Sequence, residues 1–353
     1  MTLYDRIAGL PLTISASDRT SRRREMVGGT TRVTSTFVLL AEDEFGAGED
    51  VTYEAVDHEA LPDTLPFDFA GEYTFDEFSQ SLEAIDLFPT KPPEREVSRT
   101  YRRWAVESAA LDLALKQNDT TLASRFGREY SPVRFVASTP VPDGDTTRVE
   151  ETLTVNPTCE FALKPTDAWT TDTFTRLAET DAVRVLDLDG QSDGDGDSQA
   201  PNPELYRRVF ETFPDAVVAD PVVSDDVHDL LAANSERLSL GASVRSTADL
   251  RDAPFEPDWC SIVPSRFGTV RSLLETIEYC AEQDISMYGS GQCELCVGRG
   301  HIQLLASLFY PEGPNDVAPR AYNKPTIRAD LRPSPLEPPK APTGMEWKQL
   351  EFE

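Results

Sequence analysis

Beyond Pro132 the chain alternates short apolar runs with amphipathic stretches. Apolar runs at residues 133–137, 159–164, 182–188, 216–219, 238–242, 260–263 and 285–288 predict strands, and segments 171–179, 203–213, 225–233, 268–283 and 294–309 between them predict helices. Strand signals that alternate with helices in this way belong to a parallel α/β fold, and so many units predict strands closed into a barrel with helices outside, a modified TIM barrel of (β/α)7β type. An open doubly wound sheet is the alternative. It brings no ligand with it, because no glycine-rich phosphate loop follows the first strand.

The first third reads differently, as mixed α+β. Residues 31–41 are β-branched and apolar, and after the acidic turn 42–50 the segment 51–56 predicts a paired strand. Residues 73–85 predict a short helix, and Lys91-Pro92-Pro93 marks a break. From 97 to 116, Trp104, Ala105, Ser108, Ala109, Leu111, Ala114 and Leu115 recur at helical spacing and predict one well-packed helix. The organisation expected is an α+β domain over 1–130, a barrel over 131–325 and a proline-rich tail, 326–353, lying extended on the surface.

Charge changes the picture of where such a protein lives. The 353 residues carry 62 Asp and Glu against 33 Lys and Arg, a net charge of -29. This excludes a binder of nucleic-acid backbone as the default reading. Lysine occurs only at Lys91, Lys116, Lys164, Lys324, Lys340 and Lys348. Acid-rich, lysine-poor composition spread along the chain fits a halophile's protein, kept soluble in concentrated salt that screens its self-repulsion. An acidic surface for a basic partner would need blocks of like charge, and only 190–197 comes close. No stretch approaches the ~18 apolar residues of a membrane span, and the start of the chain lacks the features of a secretory signal. Cys159, Cys260, Cys280, Cys293 and Cys296 are odd in number and widely spread, which argues for reduced thiols. The expectation is a cytoplasmic protein with no nucleic-acid or membrane partner; homo-oligomerisation stays open.

In a parallel barrel the chemistry sits at the C-terminal strand ends. Those ends carry Lys164 on the second strand, Asp187 and Asp189 on the third, Asp220 on the fourth, Ser265 and Arg266 on the sixth, and Glu294 just after the seventh. Gly46-Ala47-Gly48-Glu49, residues 109–116 followed by Leu122-Ala123, the turn Pro264-Ser265-Arg266-Phe267-Gly268 and the glycine-rich segment 289–294 add further marks. In this order and spacing, over residues 1 to about 325, the sequence resembles the enolase superfamily, in particular its mandelate racemase and muconate-lactonizing branch. The resemblance implies an N-terminal capping domain on the barrel. It also implies a Mg²⁺ ion held by carboxylates on the third to fifth strands, which stabilises the enediolate formed when a lysine base removes the proton α to a carboxylate, lyase or isomerase chemistry on a small organic acid.

Carried over residue by residue, Lys164 matches the second lysine of the strand-two pair, whose first position is Ala162, and Asp187 matches the strand-three metal ligand. Ala219 falls at the strand-four ligand, Gly241 or Ala242 at the strand-five ligand, and Val263 replaces the strand-six lysine. A relocated site is then conceivable, with Asp187, Asp189 and Asp220 around the cation, Lys164 as base and Glu294 orienting substrate or acting as an acid. Glu294 is equally readable as a partner for a helix dipole, and Lys164 with Asp187 as an ion pair at the mouth of an inert barrel. The resemblance also places Arg22, Arg23 and Arg24 on a mobile loop over the mouth, where guanidinium groups suit a carboxylate, with Ser265 and Arg266 as further substrate contacts. Cys293, Cys296 and His301 make half a zinc site at most, and packing cysteines are the simpler reading. Two functions follow: a divergent Mg²⁺-assisted enzyme, or a silent relative that binds an anion or a protein partner.

Overall fold

The computed structural model describes residues 1–27, 29–62, 64–188 and 200–347. Its N-terminal part holds β1 (Pro11–Ile14), β2 (Ala16–Glu25), β3 (Thr31–Leu40), β4 (Phe45–Asp50) and β5 (Gly71–Thr74). Strands β2, β3 and β4 form an antiparallel sheet in that order, and β1 pairs with β5. The helix Phe75–Ser81 begins at Thr74, which forms a capping box with Glu77.

Two expectations for this region are corrected. The partner of β3 is Phe45–Asp50, inside the acidic stretch expected to turn, and the segment after it carries the short helix Ala55–Glu59 instead of a strand. The reason is steric. Strand β4 lies directly on the long helix Ser98–Gln117, so close that a Cβ on Gly46 would stand 2.1 Å from the Ala109 carbonyl oxygen and one on Gly48 1.9 Å from that of Ala105. Only glycine permits that approach. Arg22, Arg23 and Arg24, expected on a mobile loop, lie instead within the edge strand β2.

The C-terminal part is a seven-stranded parallel sheet, β6 (Ala137–Ser138), β7 (Phe161–Leu163), β8 (Val183–Asp187), β9 (Val217–Ala219), β10 (Leu238–Leu240), β11 (Trp259–Ile262) and β12 (Ser286–Gly289), in sequential order. Each predicted strand is present: β6 to β10 are shorter than predicted, and β11 and β12 keep their length but shift by one residue. Val136, Val185, Val217, Ala219 and Tyr288 pack together on its inner side, and helices such as Thr171–Glu179, Pro203–Thr212 and Val270–Glu282 connect the strands. The sheet curls, and Asn315-Asp316 bridges its edges: the Val136 amide donates to the Asn315 carbonyl (2.8 Å) and the Asp316 amide to that of Gly289 (2.8 Å). This one-residue bridge takes the place of an eighth strand.

The tail does not simply lie on the surface. Leu336 pairs with Val133, and Leu336, Met345 and Trp347 are buried. The Met345 amide donates to Asp112 (2.7 Å) and Glu346 pairs with Lys116 (2.7 Å), so the tail straps the barrel to the long helix. Among the described residues no helix is long and apolar enough to cross a membrane.

Candidate functional site

A cleft of about 760 Å³ opens over the C-terminal strand ends, and Lys164, Asp187, Asp220, Arg266, Arg299 and Asp316 all line it. The N-terminal domain closes one side with the hairpin linking β2 and β3 and with Tyr53. Arg32, at the start of β3, ties these walls together: its guanidinium donates to the carbonyls of Gln292 (3.2 Å) and Thr52 (2.6 Å) and also to that of Val51, and it lies over the Tyr53 ring.

Asp220 has a left-handed backbone, φ 48°, a conformation that aspartate tolerates better than most residues. That turn aims its carboxylate along the end of β10, where it accepts from the amides of Gly241 (2.8 Å) and Ala242 (3.0 Å). Arg266 reaches the same place from the turn after β11, its Nη1 donating to the Gly241 carbonyl (3.3 Å). Burial, and then the neighbouring Asp187, push the Asp220 carboxyl up to about 6 against the pull of those amides and of Arg266.

These residues do not fit the metal that the fold implies. Ala219 offers no ligand at the end of β9, and Asp220 has spent its oxygens on backbone amides. At the end of β10 a side chain is sterically barred, because a Cβ on Gly241 would lie 2.5 Å from Cβ of Ser261. Among the described residues no three or more His, Cys, Asp or Glu side chains gather in a way that could hold a metal ion. A Mg²⁺ ion, which gives up its waters reluctantly and prefers carboxylates in octahedral array, is poorly served here. Asp189 lies outside the described residues.

On the opposite side, Asp316 arrives on the bridge that closes the sheet. Burial, with Glu294 and Asp187 nearby, raises its carboxyl to about 6, while Arg299 and the Ser138 amide oppose the shift. Glu294 is buried, accepts from the Gln292 amide (2.7 Å) and stands 3.7 Å from Nε of Arg299. It does not begin a helix, since Gly298–Phe309 starts four residues later. The anion at that helix terminus is Glu49 from β4, which accepts from the amides of Leu295 (2.6 Å), Cys296 (2.9 Å) and Gly298 (2.8 Å). The glutamate of the Gly-x-Gly-Glu segment therefore fixes the loop that carries Glu294 and the start of the helix that carries Arg299.

The remaining candidates fall elsewhere. Arg22, Arg23 and Arg24 stand on β2 outside the residues lining the cleft, with Arg23 paired to Glu59 (2.8 Å). Met26, Val27, Thr30 and Thr31 reach the mouth in their place. Ser265 is buried beside Arg266. Cys293 lines the cleft, Cys296 does not, and His301 is a buried neutral imidazole pushed down to about 4 by burial and Lys116. Arg32, Arg299 and Asp316 were missed. A search for an eighth strand end would have found Asp316, but Gly313-Pro314-Asn315 offers no apolar run to announce one.

Profiles described as the N-terminal and C-terminal domains of a domain of unknown function, DUF8230, match residues 5–125 and 129–324. The chain belongs to the DUF8230 family. No curated protein matches this DUF8230 sequence. Among solved structures, it is similar to an unknown member of the enolase superfamily from Enterococcus faecalis V583, at 18% identity over 87% of this chain and 86% of that one, TM-score 0.62. It is similar to muconate lactonizing enzyme from Pseudomonas putida, at 15% identity over 86% and 88%, TM-score 0.61. A mandelate racemase/muconate-lactonizing enzyme from Roseovarius nubinhibens ISM, complexed with magnesium, matches at 16% over 84% of each chain, TM-score 0.61. The DUF8230 chain thus has the enolase-superfamily fold, an antiparallel N-terminal domain on a curled parallel barrel.

Proposed function

We propose that this DUF8230 protein is a divergent enolase-superfamily lyase or isomerase that binds a small carboxylic acid in the cleft and moves the proton α to the carboxylate. The observation that carries the reading is the convergence of Lys164, Asp187 and Arg266 on one cleft at the strand ends of this fold. In the reaction proposed, Lys164 takes the α proton. Negative charge then builds on the substrate carboxylate, and Arg266 and Arg299, fixed by backbone carbonyls at 3.3 Å (Gly241) and 2.9 Å (Ala318), are the donors available to it. The magnesium of the R. nubinhibens structure is suggestive for the fold, but the donors described here do not fit it, and no step is routed through a metal.

The test is α-hydrogen exchange in D2O with a panel of small carboxylates, followed by NMR at high salt. The parent is expected to exchange at least one of them, and Lys164→Ala to lose exchange by roughly 100-fold or more. Equal rates in parent and variant would remove Lys164 as the base. A second reading, a silent relative that only binds the anion, is favoured by Val263 at the position of the second base; it predicts carboxylate binding with no exchange in any case.

A further inference from the structure

The ends of β9, β10 and β11 meet around one positive group, Arg266. Its guanidinium is anchored on the Gly241 carbonyl (3.3 Å) and lines the cleft. Beneath it, Asp220 is turned by its left-handed backbone onto the amides of Gly241 and Ala242. Just past the end of β10, Ser261 leaves no room for a side chain at Gly241, and the next position, Ala242, offers no carboxylate. A divalent cation brought here would meet a fixed like charge and an Asp220 committed to backbone amides, and although Asp187 and Asp316 also line the cleft, no three acidic, His or Cys side chains among the described residues gather to hold it. An anion would meet a planar fork of donors whose position the protein has already set.

We infer that the cleft takes its carboxylate ligand directly on Arg266, with no divalent cation between them. The guanidinium supplies in fixed form the positive charge that a bound ion would otherwise bring. The inference rests on the reading of the cleft as a carboxylate site, but not on the proton-transfer step.

Two measurements on the full chain in concentrated KCl test it, with malonate and Mn²⁺ as probes. Calorimetry is expected to show malonate binding that EDTA leaves unchanged, weakened roughly 10- to 100-fold in Arg266→Gln, the span for a lost charge-assisted hydrogen bond, and less in Arg266→Lys. Electron paramagnetic resonance is expected to show no stoichiometric Mn²⁺ on the parent, a readout that needs no variant to fold. One Mn²⁺ per chain, lost in Asp187→Asn, overturns the inference, as does malonate binding that EDTA abolishes or that Arg266→Gln leaves intact. If malonate fails to bind at all, the carboxylate reading falls and takes this inference with it. Malonate binding without any α-hydrogen exchange removes only the proton-transfer step.

Discussion

Two groups of buried charges in this molecule are built on opposite terms. In the N-terminal domain Asp50 is fully buried, and burial alone would raise its carboxyl; Arg102 (2.8 Å), His58 (3.8 Å) and Thr52 outweigh it and bring the group to about 2. Arg102 is satisfied in turn by the carbonyls of Leu87 (3.0 Å) and Asp57 (2.9 Å), and its guanidinium stacks on Phe88. His58 meets the Thr52 carbonyl through Nε2 (2.9 Å) and the Ser35 hydroxyl through Nδ1 (2.9 Å), and burial pushes its imidazole down against the pull of Asp50 and the Thr52 carbonyl. At the barrel mouth the balance reverses: Asp220 and Asp316 both rise to about 6, each pushed by burial and by Asp187. Opposite charges paired to completion hold a fold together, whereas like charges left facing one another mark a place kept for a ligand.

The comparison can be broken at either end. Arg102→Ala should have the largest effect on stability, about 3–5 kcal/mol, because it leaves Asp50 buried without its cation; thermal melts at fixed salt measure it. A loss under about 1 kcal/mol would mean that water reaches Asp50 and that the network holds little. Glu49→Gln comes next. An amide nitrogen cannot accept, so some of the donors at Leu295, Cys296 and Gly298 lose their partner, at a cost of about 1–3 kcal/mol. Hydrogen exchange at these amides should quicken while the Asp50 network keeps its protection. Unchanged protection would separate β4 from the helix start that carries Arg299.

The fold was legible because it is written in periodicity. Seven apolar runs at alternating spacing leave little but a parallel barrel, and the helical spacing from Trp104 to Leu115 marks the long helix whatever surrounds it. The acidic stretch with β4 was not legible, because Phe45–Asp50 is a strand for a tertiary reason: Gly46 and Gly48 yield to a helix dozens of residues later in sequence, and Glu49 and Asp50 are buried only because distant partners satisfy them. Similarity of motif found Lys164, Asp187 and Arg266, which do share the cleft. It could not find Asp316, which follows a single-residue bridge at Asn315, or Arg32, which looks like any surface arginine until its carbonyl partners are in place. The resemblance placed Arg22, Arg23 and Arg24 over the mouth, yet this basic triplet on an edge strand is positioned by sheet pairing instead.

The smallest effect is the most discriminating, because its sign separates the two regions. Asp220 has its carboxyl raised to about 6 in the folded chain, against about 4 when unfolded. Between those values the folded chain binds a proton that the unfolded chain has released, so stability falls as pH rises through that window. Asp50 runs the other way: its contribution is in place above pH 4 or so and disappears as the pH drops through about 2. In Asp220→Asn the side-chain oxygen can still accept from Gly241 and Ala242 while the charge beside Asp187 is gone. The variant should therefore be more stable than the parent at pH 8 by about 1–2 kcal/mol and show a shallower decline from pH 4 to 6, with Asp316 left to account for what slope remains. Melts across that range at constant salt decide it. If Asp220→Asn is instead destabilised at pH 8, the ionised oxygens are held by Gly241, Ala242 and Arg266 more firmly than burial opposes them. The mouth would then be built on the same terms as the Asp50 network, and its carboxylates would be structure instead of a reserve for the ligand.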